Sequence, residues 1–127
     1  MTVDASRGGG LQSLLAVIVD SSDDSIIGKT LDGVITSWNP GATRIFGYSA
    51  SETIGRSIRL LIPPERVDEE SDILSRIASG ENIEHFETIR LGKDGSRIEI
   101  LATISPVADA TGWIIGALKI ARVIGEQ

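Results

Sequence analysis

Apolar residues recur along this chain with two different periods. Leu11, Leu14, Leu15, Ile18 and Val19 stand three and four positions apart, which predicts one apolar stripe on a helix. Ala16 and Val17 widen the stripe, and Ser21-Ser22-Asp23-Asp24 ends it. Asp24 to Thr30 and Val34 to Trp38 read as strands joined by a tight turn, in which Asp32-Gly33 supplies the positive φ a hairpin wants. Asn39-Pro40 then starts a short helix. The amide side chain caps the free N–H groups, and proline fits the first turn because it has no N–H to lose. Gly47 stops that helix, and Ser49 or Ser51 caps another turn, with Ile45, Phe46 and Ile54 available to point inward. Pro63-Pro64 opens a longer helix running to Ser79. Val67, Leu74 and Ala78 line one face of it, joined by Ile73 and Ile77, and Gly80 ends it. Period two then returns. Ile83 to Leu91 runs into the turn Gly92-Lys93-Asp94-Gly95. Ser96 to Pro106 alternates, with Ile98, Ile100, Ala102 and Ile104 on one face and Arg97, Glu99, Leu101 and Thr103 on the other.

Trp113 to Ile124 is apolar on both faces. Ile114, Gly116, Leu118 and Ile120 fall on one, and Trp113, Ile115, Ala117 and Ala121 on the other. A strand with one face in water does not look like this. Something covers the outer face of the sheet, and the leading helix is the candidate. Helix, two strands, several helices, three strands is an α+β order with an antiparallel sheet.

Composition narrows the function. The 127 residues fit one domain, which buries about two-thirds of its unfolded surface and needs neither metal nor disulfide to fold. Cysteine is absent, which excludes thiolate chemistry and suits a reducing cytoplasm. A net charge of −6 without a basic block argues against nucleic acid as a partner. No apolar run reaches the roughly 20 residues of a membrane span, and residues 1–10, with Gly8-Gly9-Gly10, read as a flexible lead-in rather than a signal peptide. There is no nucleophile–base set, no phosphate-binding glycine loop and no metal-ligand cluster, so no catalytic role is expected. Asp68, Glu69 and Glu70 are consecutive on a helix and cannot converge on one ion; they read as a solvated face favoured near the helix N-terminus. His85 is the only histidine and reads as a strand residue.

Several of these pieces, in this order, resemble a PAS domain, the sensor module of many bacterial signalling proteins such as sensor histidine kinases. They are IVDSSDDSII, DGVITSWNPGATRIFGYS, ETIGRSI, the KDGS turn at Lys93 to Ser96, and the paired strands after it, together spanning Leu14 to Val123. The resemblance implies a five-stranded antiparallel sheet with helices on one face enclosing a pocket, and with the N-terminal amphipathic helix on the outer face. Residues 1–10 would be the lead-in, 11–22 the helix and 23–124 the PAS domain.

Haem-binding relatives place a histidine on the long helix, where this chain has none, and alternation puts His85 on the face opposite Phe86, Thr88 and Arg90. Light-sensing relatives carry a cysteine in a motif like G-R-N-C-R-F-L. Here Gly55-Arg56-Ser57-Ile58-Arg59-Leu60-Leu61 puts Ile58 in its place, and the flavin-gripping positions map onto Arg90, Ile100 and Leu118. Haem and flavin are therefore not expected. What remains is an apolar pocket or a filled core lined by Ile45, Phe46, Ile58, Leu61, Ile73, Ile77, Ile100 and Leu118, with Thr88 and Arg90 as polar contacts. A buried arginine demands a partner, and a carboxylate ligand would serve.

The reading is a sensory, signal-transducing module that dimerises and relays a ligand or conformational cue to an output domain or partner. The alternative is a structural dimerisation domain with a filled core and no ligand. Any kinase activity would belong to a further part of a longer chain. In the family the last strand commonly runs into an Asp-Ile-Thr triplet that joins it to the output helix; Val123-Ile124-Gly125 stands here instead. The expected dimer interface joins Leu11, Leu14, Leu15, Ile18 and Val19 to Leu101, Trp113, Ile115 and Ala117.

Overall fold

The computed structural model describes residues 5–125, with side chains described from residue 13 onward. Helix α1 (Ala5–Ser21) leads into strands β1 (Ser25–Thr30) and β2 (Ile35–Trp38). Two short helices follow, α2 (Pro40–Phe46) and α3 (Ala50–Thr53), then 3-10 turns at Ile58–Leu61 and Pro64–Arg66, and the longer helix α4 (Val67–Ala78). Strands β3 (Ile83–Leu91), β4 (Arg97–Ala108) and β5 (Ile114–Gly125) complete one antiparallel sheet of order β2-β1-β5-β4-β3. The α+β architecture with five antiparallel strands is the one the periodicity predicts.

Helices α2 to α4 pack on the inner face of this sheet. Near β1 and β2, Phe46, Ile58 and Leu61 close on Ile27, Ile35 and Trp38. Near β3 to β5, Ile73 and Ile77 of α4 close on Ile83, Ile104 and Ala117. Asn39 ties three elements together. Its Oδ1 accepts from Ala42 N (2.9 Å), capping α2, and from Ile26 N (2.8 Å) of β1. Its Nδ2 donates to the carbonyls of Val19 in α1 and Asp24, both at 3.0 Å. The chain passes so close here that a Cβ on Gly41 would collide with the Asp24 carbonyl. Ser49 and Glu52 form a reciprocal capping box on α3.

Several local expectations are corrected. Helix α1 begins at Ala5 and runs through Gly8-Gly9-Gly10, since a nucleated helix gains one backbone hydrogen bond per added residue. Ile54 is exposed: α3 is a single turn, Ile54 is its extended C-terminal cap, and Thr53 takes the buried position. Ala78 is exposed, leaving Ile73 and Ile77 as the buried positions of α4's apolar face.

Trp113 and Ile115 are exposed as expected, but beyond Ile115 the faces of β5 are the reverse of the expected ones. Pairing with β4 matches Val107 to Gly116 but Ala108 to Ile114, so Ile115 is an extra residue. From there on, the odd-numbered residues Ala117, Lys119 and Ala121 face inward and are buried, whereas Leu118 and Ile120 lie on the outer face. Ala117 is thus core rather than interface, and Leu118 is surface rather than pocket.

The outer face of the sheet is apolar at its centre, where Ile26, Leu101, Leu118 and Ile120 sit. Within one chain α1 does not cover it. Leu14, Leu15, Val17 and Ile18 are each more than half exposed, and Trp113 is 75% exposed. The described hydrogen bonds of α1 to the body come at its C-terminal end, through Val19 and the Asn39 amide.

Two stability outcomes follow. Asn39→Ala removes a cap and leaves buried carbonyl and N–H groups unpaired, so urea unfolding should report a loss of about 2–4 kcal/mol. Gly95 has φ 84 with open space around its missing Cβ. Gly95→Val should therefore cost about 1–2 kcal/mol from backbone conformation alone, and an unchanged melting point would show that the β3–β4 turn relaxes freely.

Candidate functional site

A cluster of charged side chains lies between the first turns of α4 and the inner face of the sheet. Strand β1 contributes Lys29, β3 contributes Thr88 and Arg90, β5 contributes Lys119, and α4 contributes Glu69 and Glu70. Alternation places all four strand residues on the inner face. Lys29 Nζ donates to Glu70 Oε2 at 2.6 Å with both groups buried. Arg90 Nη1 donates to Glu69 Oε1 (2.8 Å), to Thr88 Oγ1 (3.1 Å) and to its neighbouring carbonyl of Ile89 (2.9 Å). Thr88 Oγ1 donates to Glu69 Oε1 at 2.6 Å, and Arg66 Nη1 donates to Glu69 Oε2 at 3.0 Å.

The cluster is not balanced. Arg90 is 0% exposed, yet its Nε and Nη2 have no hydrogen-bond partner, and neither has Glu70 Oε1, which lies 3.9 Å from Nη2. Lys119 is 1% exposed, and no described hydrogen bond or ion pair involves its ammonium. Three fully buried cations, Lys29, Arg90 and Lys119, thus face two carboxylates, one of which is shared with Arg66.

Electrostatics follow from that imbalance. Burial drives the Lys119 ammonium well below its ordinary value, and the positive charges of Arg90 and Lys29 push it further than Glu70 and Glu69 can restore. Burial also lowers Lys29, against the upward pull of Glu70. Burial alone would raise the Glu69 carboxyl, but hydrogen bonds from Thr88, Arg90 and Arg66, with the charge of Arg90, outweigh it and hold the group below its ordinary value.

Thr88 and Arg90 are where the sequence places them, at the heart of the interior. Phe46, Ile58, Leu61, Ile73, Ile77 and Ile100 are buried around them, with Ile45 half-buried at the rim and Leu118 on the opposite face. The acidic run is corrected. Asp68 is exposed, but Glu69 and Glu70 turn toward the sheet, because unpaired cations wait there. Lys29 and Lys119 are missed by a reading of apolar periodicity. Their signal was position: each is a cation at an inward step of its strand, whereas Arg122 of β5 is exposed. His85 is exposed, with a left-handed φ of 54 at an irregularity in the β3–β4 pairing, and it borders a depression on the outer face with Leu101, Thr103 and Ile120. Of the expected interface, Leu14, Leu15, Ile18, Trp113 and Ile115 are exposed, Val19 and Leu101 are half-buried, and the Leu11 side chain lies outside the described residues.

Both buried lysines hold protons less tightly folded than unfolded. The unfolded chain therefore binds more protons at pH values between the lowered folded values and the unfolded value of 10.5, and stability rises with pH across that window. Lys119→Met should remove the part due to Lys119, leaving the groups that face it (Lys29, Arg90, Glu69, Glu70) in place. Urea unfolding between neutral and mildly alkaline pH should show a gain of about 1–3 kcal/mol at neutrality and a flatter slope. A destabilised variant with the wild-type slope would show that the ammonium is solvated.

Known proteins share this frame. The family model described as the PAS fold matches residues 13–124. The signal transduction histidine-protein kinase AtoS of Escherichia coli (strain K12) is 28% identical over 109 residues, covering 86% of this chain but 17% of that protein. The chain therefore spans less than a fifth of the length of that relative. The solved PAS domain of a protein from Colwellia psychrerythraea superposes with a TM-score of 0.81 at 28% identity, covering 90% of this chain and 97% of that one. The Rhodobacter sphaeroides LOV protein shares the fold, with a TM-score of 0.76 at 16% identity over 98% of this chain and 70% of that one. With its capped α2 segment, its five-stranded sheet in the order β2-β1-β5-β4-β3 and a family match over most of its length, this chain belongs to the PAS-fold family.

Proposed function

We propose that this domain is the sensory module of a signalling protein, that it works as a homodimer in the cytoplasm, and that it biases an output domain such as a histidine kinase by a shift in conformational population. It acts by binding rather than by catalysis. The likeness to part of a signal transduction histidine kinase supports the signalling role. Among the described residues no helix is long and apolar enough to cross a membrane.

One observation carries the dimer. Leu14, Leu15, Ala16, Val17 and Ile18 are all exposed, and at 100° per residue they surround the helix rather than stripe it. Trp113, Ile115 and Ile120 are exposed as well. Monomers rarely leave apolar patches of several hundred square ångströms in water. A second copy about a two-fold axis would cover helix and sheet together. Removing about 400 Å² of apolar surface is worth roughly 10 kcal/mol before association costs.

The relatives named for light, oxygen and voltage sensing raise flavin as a cofactor. The residues here do not fit it. Ile58 is buried where a photo-reactive cysteine would stand, and the side chains of Arg90, Lys119, Lys29 and Glu70 occupy the interior between α4 and the sheet. The same filled interior favours the second reading, a dimerisation domain that senses nothing itself.

Leu15→Glu and Ile115→Glu should each yield folded monomers, since both side chains are exposed within one chain. Light scattering over a dilution series reads this directly, and a wild-type mass of one chain at high micromolar concentration would sink the dimer. Gently purified protein should be colourless, and a visible band from stoichiometric flavin or haem would overturn the cofactor reading.

A further inference from the structure

We infer that a second copy docks on the outer face of the sheet with β4 against β4, so that Arg122 of each copy pairs with Glu87 of the other. The inference rests on the dimer reading and assigns its register and its specificity.

Cross-strand pairing sets out the charges. Leu101 of β4 stands opposite Glu87 of β3 on one side and Arg122 of β5 on the other. All three side chains belong to the outer face, since their sequence neighbours Thr88, Ile100, Ala102 and Ala121 are buried on the inner one. An acid and a base thus flank one half-buried leucine, each a single strand spacing of about 4.8 Å away. Glu87 and Arg122 are two spacings apart, about 10 Å between their backbones, with Leu101 in between. Among the described residues neither side chain has a hydrogen bond or an ion pair. Other surface charges find partners within the chain: Arg97 pairs with Glu65, and Lys93 with Glu52.

A contact between identical surfaces must be self-complementary. This row meets that condition. A two-fold axis running along β4 through Leu101 brings Glu87 of each copy over Arg122 of the other. Strand β3 then lies over β5 of the second copy, and the two Leu101 side chains meet at the centre. Ile120 and Leu118, outward on β5, extend the apolar contact on either side. Glu99 also points outward on β4, but its carboxylate lies over Gly125 of β5, where a Cβ would collide with it. It therefore leans off the axis and away from its own copy. Asp24 and His85 share a depression with Arg122, and Arg66 shares one with Glu87 and Glu99, yet Arg66 is committed to Glu69. A patch of one sign would call for a partner of the opposite sign. A row that carries both signs about a central leucine calls for itself. Exposed pairs add little affinity, whereas like charges brought together are strongly unfavourable, so the row selects the register while the apolar surface supplies the binding.

Native mass spectrometry of the whole chain over a dilution series tests this, with circular dichroism to confirm folding. Arg122→Glu and Glu87→Arg should each fold, since both side chains are exposed. Each should raise the Kd of its own dimer at least about thirtyfold, because each homodimer then holds two like-charge contacts. Mixed in equal amounts, the two variants should form a heterodimer with the wild-type Kd, since both of its contacts again join opposite charges. Arg122→Gln and Glu87→Gln, which remove attraction without adding repulsion, should weaken the dimer only about threefold. Asp68→Arg, exposed on α4 across the sheet, should leave it unchanged. Reversed variants that dimerise like the wild type, or weakened variants whose mixture stays monomeric, would overturn this register and leave the dimer standing. A wild type that is monomeric at high micromolar concentration would overturn the dimer and the register with it.

Discussion

Two carboxylates on neighbouring positions of α4 hold that helix against a sheet that presents three buried cations to it. Each of these charges costs several kcal/mol to remove from water, and attraction in the interior repays this only where geometry and hydrogen bonding are good. The Lys29–Glu70 contact at 2.6 Å and the Arg90–Thr88–Glu69 set meet that condition; the far edge of Arg90 and Oε1 of Glu70 do not. The consequence is a helix docked partly by apolar contacts of Ile73 and Ile77 and partly by an incompletely satisfied electrostatic seat. An apolar core of the same volume would be more stable but would have no preferred response to charge.

The outline of this fold was legible because its punctuation is strong. Asn39-Pro40, Gly47, Gly33 and Gly95 mark turns and caps whose chemistry allows few conformations, and the structure gives Gly33, Gly47 and Gly95 positive φ as expected. Strand β4 alternates without interruption through Ile98, Ile100, Ala102 and Ile104, so its faces were readable. Strand β5 was not, because its alternation is broken by one extra residue at Ile115 and both parities are apolar on either side of it. Nothing local reveals a bulge in such a strand; only pairing with β4 does.

The site was legible in part for the same reason. Arg90 stood out as a charge in step with the inward positions of its strand, and the demand for a partner follows only from its burial there. Glu69 and Glu70 did not stand out, because acidic residues in the first turn of a helix are favoured there whether or not anything faces them. Their burial is decided by Lys29 and Arg90, which are 41 and 21 residues away from the glutamates they bind. Such long-range pairing is invisible to any window of helical or strand length. Lys119 was hidden by the error in the phase of β5, which assigned the inward face to Leu118.

Strand β5 joins the buried charge cluster to the outer face on which the proposed dimer rests. Lys119 projects inward to the charge cluster, while Leu118 and Ile120, on either side of it, project to the uncovered outer face. The backbone that carries Lys119 inward also carries Leu118 and Ile120 outward, so the two faces cannot shift independently. Strand β1 lies beside it, and its start is held at Ile26 by Asn39, whose amide also holds the end of α1. Both surfaces proposed to meet a second copy are therefore within one or two bonded contacts of the interior. The sheet is one layer thick, so the buried charges set among the apolar core of its inner face and the apolar centre of its outer face share a backbone.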